Sequence, residues 1–308
     1  MRILPAWVLL SGWWCGGAAI AAPVAVPNSS FELPSTGFVN INIDNWQKNP
    51  KPDWYVESGG YLWSQLTGIF RNTSPGTDDH IVNITGNQAI WLFAVPGVEL
   101  FQDYESTDWN HPSPMHAFDA VYEVGRSYQL SVGVIGGGGG MLDGATLEIS
   151  LYYRDGDGKP VTVASTVATQ SIGSFPSTNR FEDQVLIMPA VRPGDAWAGR
   201  HIGIRFRSTV TTELEGGYWD IDNVRLVGIP VPTLALALSG PDAQLSWPSE
   251  TGYQYQLEAC TDPAGKPGDT GWTGVGPPLA GTGSPLSYNV PLAAAPERLF
   301  RVKVVALP

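Results

Sequence analysis

The 308 residues carry few charged side chains (15%) but 36 Gly and 26 Pro beside 43% hydrophobic residues, and the formal net charge is −12. An acidic chain without a Lys/Arg cluster offers no electrostatic footprint for nucleic acid, so that class of partner is excluded. The Gly and Pro residues punctuate alternating apolar runs and form no repeat, which excludes a low-complexity chain and leaves one large β domain or two unequal ones.

The first 22 residues, MRILPAWVLLSGWWCGGAAIAA, read as a secretory signal: one Arg, an apolar run from Ile3 to Trp14, then small residues ending in Ala-x-Ala at Ala19 and Ala21. The run is too short to span a bilayer, and Trp14 ahead of Cys15 disfavours a lipid anchor. With the signal removed, Cys260 is alone and no intrachain disulfide is available. The expected location is outside the cytoplasm, either secreted or in the cell envelope or periplasm.

Short strands are expected near NSSFEL, WYVESG, AIWLFAV and VELFQDY, with polar, aromatic-rich loops between them. Alternation is then clear in SYQLSVGVI, where Tyr128, Leu130, Val132 and Val134 share a face, and it recurs in TLEISLYY, PVTVASTVAT, RFEDQVLIM and HIGIRFRSTV. Turn clusters such as GGGGGMLDG and RDGDGKP separate these runs. The GGGGG run lacks the GK[ST] ending of a phosphate loop and reads as a hairpin connection. No amphipathic helix exceeds a turn or two. The predicted fold class is all-β: a jelly-roll β-sandwich over 23–228, a Pro-rich linker at 229–233, and a small fibronectin-like or immunoglobulin-like β-sandwich over 234–308. Trp247, Trp272, Tyr255 and Phe300 are expected to fill the smaller core.

The strand YWDIDNVRLV raises a question of phase. At period two, Asp220 and Asp222 fall in line with Val224 and Leu226, two aliphatics that should face a core. A bound cation, a β-bulge near Asp222-Asn223 that changes the phase, or an Arg partner such as Arg205 or Arg225 would each resolve it.

An opening N-x-x-FE strand, NSSFELP, together with a closing WDIDNVRL strand resembles the galactose-binding-like jelly rolls, the family of many carbohydrate-binding modules. That resemblance covers about residues 24–227. It implies that the first and last strands lie together and hold a structural calcium through Glu32 and Asp222, with Asp220 as the substitute. A hard dication does need several oxygen ligands of this kind. It also implies a polysaccharide or other glycan as ligand. Trp46, Trp54, Trp63 and Trp109 lie in polar, loop-like settings, whereas Trp91 and Trp219 lie in apolar strands and read as core. Aromatic faces stack on the apolar sides of sugar rings, so Trp54, Tyr55, Trp63 and Trp109 are the candidate ligand-binding residues.

The case for catalysis in sequence is poor. The four His are scattered, there is no G-x-S-x-G elbow, and Glu99, Asp103 and Glu105 do not match the spacing of jelly-roll glucanases. The reading is therefore an exported, non-catalytic, carbohydrate-binding protein. A structural or adhesive envelope protein is the alternative, with a jelly-roll hydrolase or lyase behind it. Oligomeric state is not legible.

Overall fold

The computed structural model describes residues 22–107, 113–239, 241–260, 271–291 and 299–306. Residues 1–21 of the expected signal segment and Trp109 lie outside these residues, whereas Ala22, expected to end the signal, opens the first strand. The chain is all-β. Its first twelve strands are β1 (Ala22–Val24), β2 (Val39–Asn40), β3 (Gln47–Lys48), β4 (Thr67–Arg71), β5 (Gln88–Phe93), β6 (Glu99–Gln102), β7 (Arg126–Gly138), β8 (Thr146–Arg154), β9 (Pro160–Thr169), β10 (Glu182–Met188), β11 (Gly203–Ser208) and β12 (Tyr218–Pro230). They form two antiparallel sheets. One runs β10-β7-β12-β5-β4-β2, with β1 also on β12, and the other runs β3-β6-β11-β8-β9.

The two sheets face each other across one core. Leu130, Val132 and Val134 of β7, Ile90 and Leu92 of β5, and Trp219 and Ile221 of β12 pack against Leu147, Ile149 and Leu151 of β8 and Ile204 and Phe206 of β11. These are the period-two positions of each strand, so burial of one face of every strand sets the register. Glycines let large rings lie flat on the outer faces. A Cβ on Gly68 would come within 2.4 Å of the Trp91 ring, and one on Gly138 would come within 2.4 Å of the Tyr218 ring. Gly138 belongs to the GGGGG run, so part of the expected hairpin connection is the end of β7 and a bed for Tyr218.

Strand β12 answers the phase question. Trp219 and Ile221 point inward, so Asp220 and Asp222 point out; the pairing with β7 then slips between Asp222 and Arg225, and Asn223 takes a left-handed φ of 57°. This bulge returns Val224 and Leu226 to the core. It also divides the opposite edge of β12, which pairs with β5 at residues 218–221 and with β1 at residues 226–228. The Arg alternative fails: Arg205 pairs with Glu148 and Arg225 with Asp183.

The linker expected at 229–233 begins inside β12, whose ladder with β7 continues to Pro230, and Val231 N–H donates to Gly125 C=O at 2.7 Å. The second sandwich has a sheet of β13 (Ala235–Ser239), β14 (Asp242–Trp247) and β18 (Leu286–Pro291), and another of β15 (Tyr253–Cys260), β16 (Thr273–Gly274), β17 (Leu279–Ala280) and β19 (Leu299–Ala306). Its core holds Trp247, Tyr255 and Phe300, whereas Trp272 lies half-buried beneath the Arg301 guanidinium at 4.4 Å. Arg126, bonded to both Glu123 and Glu250, and Tyr253, whose hydroxyl donates to Gly228 C=O, tie the two sandwiches together. No helix among the described residues is long and apolar enough to cross a membrane.

Candidate functional site

Three of the four candidate aromatics come together on the loop before β4. Trp54, Tyr55 and Trp63 pack edge-to-face with centroids 5.0 to 6.1 Å apart. Their roles differ. Trp63 is 5% exposed, belongs to the main core, and donates its indole N–H to Asn49 C=O. It is an anchor and offers no face to a ligand, contrary to expectation. Trp46 is likewise buried, stacked on Phe206, with its N–H on Asn28 C=O. Tyr55 is half-buried, with its hydroxyl on Tyr61 C=O.

Trp54 is 53% exposed. It lines an open pocket of about 400 Å³ together with Pro96, Gly97, Arg207 and Thr212. Arg207 projects from the outer face of β11 and sits 3.2 Å from Glu99 of β6, directly across the ladder. Burial raises the Glu99 carboxyl above the usual range, against the pull of Arg205 and Arg207. The other two carboxylates considered for hydrolysis do not join it. Asp103 is buried and bound by Arg154 and the Tyr152 hydroxyl, while Glu105 is exposed.

The outer face of the other sheet carries a second arrangement, which the alternation pattern did not reveal. Tyr61, Phe93 and Tyr218 form a chain of rings with centroids 5.1 and 5.9 Å apart, and Trp91 follows Phe93 on the same face of β5. Trp91 is thus an outward residue, not a core one. Asp220 stands opposite Trp91 on β12 and opposite Ile135 on β7. It is half-buried and has no hydrogen-bond partner among the described residues, and burial alone pushes its carboxyl up to about 8. A carboxylic acid held neutral beside aromatic rings near pH 7 is a proton donor at that pH.

The residues expected to hold calcium lie where β1 leaves β12. Ser29 C=O accepts the Val224 N–H, which brings Glu32 to the bulge. One loop then serves both carboxylates: Thr85 N–H donates to Asp222 Oδ2 at 2.7 Å, and Asn87 and Gln88 N–H donate to Glu32 Oε1 at 2.8 Å. Gly86 makes this possible, since a Cβ there would lie 2.5 Å from the Glu32 carboxyl. Asp222 is fully buried, with Oδ1 unpartnered. Burial pushes its carboxyl up to about 7 against the Thr85 and Asn223 N–H groups, and Glu32 adds to the rise. Two neighbouring carboxylates, an orphaned oxygen, and the Asn223 amide oxygen, which accepts from the Thr85 hydroxyl, are donors of the kind a hard cation takes. Asp220 does not belong to this set, because burial is the only influence on it. Among the described residues no three His, Cys, Asp or Glu side chains gather as a metal site.

No family model matches this chain, and no curated protein does. Solved structures do. A Stig cyclase, Fisc from Fischerella sp. TAU, crystallised with an indole-containing ligand, is 20% identical with a TM-score of 0.50, over 69% of this chain and 100% of that one. A second crystal structure of a cyclase from Fischerella sp. TAU is 21% identical at the same TM-score, over 70% and 100%. A xylan-binding domain of Paenibacillus barcinonensis Xyn10C is more distant, 10% identical with a TM-score of 0.38, over 70% and 99%. At these identities the likeness is one of fold. It still corrects the expectation of a protein without chemistry, because cyclases share this fold and none of the motifs sought in the sequence was theirs.

Proposed function

We propose that this is an exported protein whose jelly roll binds a glycan in the pocket beside Trp54. The pocket itself carries the reading. The exposed Trp54 indole stands beside Arg207 and Thr212 around an open, mostly apolar space of about 400 Å³, a volume within the range of small-ligand sites. The indole supplies a flat apolar surface for the CH face of a sugar ring, and Arg207 and Thr212 supply hydrogen bonds to its substituents. Glu32 and Asp222, joined by the Asn223 side-chain oxygen, would hold a calcium ion that neutralises a buried carboxylate and pins the opening strand to the closing one. A glycan array probed with the full chain tests the reading. Hits that vanish in Trp54→Ala support it, and an empty array rejects it.

A second reading follows from Asp220. A neutral carboxylic acid in an aromatic strip that no other residue uses costs stability, and such groups cluster where protons are moved. On this reading the ring of an apolar-faced ligand lies along Tyr61, Phe93 and Tyr218. Asp220 gives its proton to the ligand and recovers one from the product or from water. Ligand turnover that disappears in Asp220→Asn, with binding retained, supports it, and unchanged turnover in that variant rejects it.

A further inference from the structure

We propose that the Trp54 pocket selects an acidic sugar, a uronate unit of a polysaccharide, over its neutral counterpart; this rests on the pocket being the glycan site. Among the five lining residues Arg207 is the one that is ionised, on a chain whose net charge is −12. Such a chain repels polyanions at a distance, so an acidic ligand has to be met by a local cation. Arg207 is well placed for that. Its side chain is 45% exposed, and Nε is engaged at 3.2 Å by Glu99, its cross-strand neighbour. The terminal guanidinium nitrogens have no hydrogen-bonded acceptor among the described residues. A guanidinium anchored at Nε leaves the Nη edge for a second carboxylate, and its planar fork matches that group bidentately.

Glu99 fits the same arrangement. Its side chain is 18% exposed and lies beside Arg207 across the ladder, so it holds Nε from the sheet surface while the rest of the guanidinium faces solvent. Trp54 gives the wall on which a pyranose ring stacks, Thr212 offers its hydroxyl oxygen, and the space beside Gly97 is open, with nothing within 4 Å of where a Cβ would stand. A hexuronate has the shape this requires: an apolar ring face for the indole and an exocyclic carboxylate for the guanidinium. A neutral hexose or pentose presents the first and lacks the second.

The test is calorimetric titration of the full chain with oligogalacturonate and oligoglucuronate, and with neutral galacto- and xylo-oligosaccharides of equal length. The expected result is that one acidic series binds about tenfold or more tightly than the neutral ones, the scale of one charge-assisted hydrogen bond, and weakens as salt is raised. Arg207→Gln is expected to abolish the preference, and Glu99→Gln, which frees the guanidinium without removing it, to sharpen it. Trp54→Ala is expected to lose both ligand types. Equal affinity for acidic and neutral oligosaccharides, with Trp54 still required, overturns the uronate assignment and leaves the pocket as the glycan site. Preference unaltered in both Arg207→Gln and Glu99→Gln overturns it as well. Binding of no oligosaccharide overturns the assignment and the pocket reading together.

Discussion

Replacing Asp220 by Asn should make the protein more stable at alkaline pH and leave it nearly unchanged in acid. In the unfolded chain this carboxyl ionises near the ordinary value of 3.8, whereas in the folded protein burial raises it to about 8. Between those two values the unfolded state holds fewer protons, so rising pH favours unfolding; the loss begins near pH 4 and is complete above about pH 8. Each pH unit in that window costs about 1.4 kcal/mol, which sets a ceiling of about 4 kcal/mol at neutral pH. Asp220 keeps some contact with solvent, and screening reduces the expected difference to about 1–2 kcal/mol. Denaturant unfolding of both proteins at pH 4, 6 and 8 measures it. Asp222 titrates over a similar range but is present in both, so its contribution cancels. A stability difference that does not change with pH, or an Asn variant that is the weaker partner at pH 8, would show that Asp220 is not held neutral and would remove the basis for its role as an acid.

Trp63→Ala should cost about 3–5 kcal/mol, as for any large core aromatic, whereas Trp54→Ala should stay within about 1 kcal/mol; thermal melts of the two variants separate anchor from platform. Calcium should raise the melting temperature of the wild type and not of Asp222→Ala. Because Asp222 must lose its proton to ligate, affinity should rise as pH climbs through about 7, with proton release measurable by calorimetry in buffers of different ionisation enthalpy. No calcium-dependent shift at any pH would dismiss the cation. Gly86→Ala should destabilise by more than about 1 kcal/mol, since φ is +81° and the new methyl meets Glu32; a neutral outcome would mean that the loop does not hold that carboxylate.

The long strands from β7 to β12 were legible because one face of each is buried against a single core, which writes burial into the sequence at period two. The bulge was foreseen only as one of three options. Its mark in the sequence is Asn223, a residue that tolerates the left-handed region, but Asn is also common in turns. The tryptophans misled for a definite reason. A buried indole needs an acceptor for its N–H, and in this chain the acceptors are backbone carbonyls of polar loops, so Trp46 and Trp63 sit among polar neighbours while being core. Trp91 misled in the opposite sense: its strand is apolar on both faces because the outer face carries its own rings. The pairing of Asp220 with Trp91 depends on β5 and β12 being neighbours, and no local pattern encodes that. Glu32 and Asp222 were expected together because the first and last strands of the domain meet, and they do lie near each other, but NSSFELP itself is a turn after β1 and not the opening strand.

The pairing of β1 with β12 has a further consequence. Ala22 lies opposite Gly228, so the chain enters the jelly roll about 5 Å from where it leaves, the spacing of paired strands. A domain whose two ends touch behaves as a cassette. A short bridge from Gly228 to Ala22 would let new ends be opened in an exposed loop, whereas excising the jelly roll would take with it Gly125, Arg126 and Gly228, its half of the seam with Val231, Glu250 and Tyr253. Opening the sandwich at a loop away from that seam is therefore a change this architecture accommodates with little rearrangement.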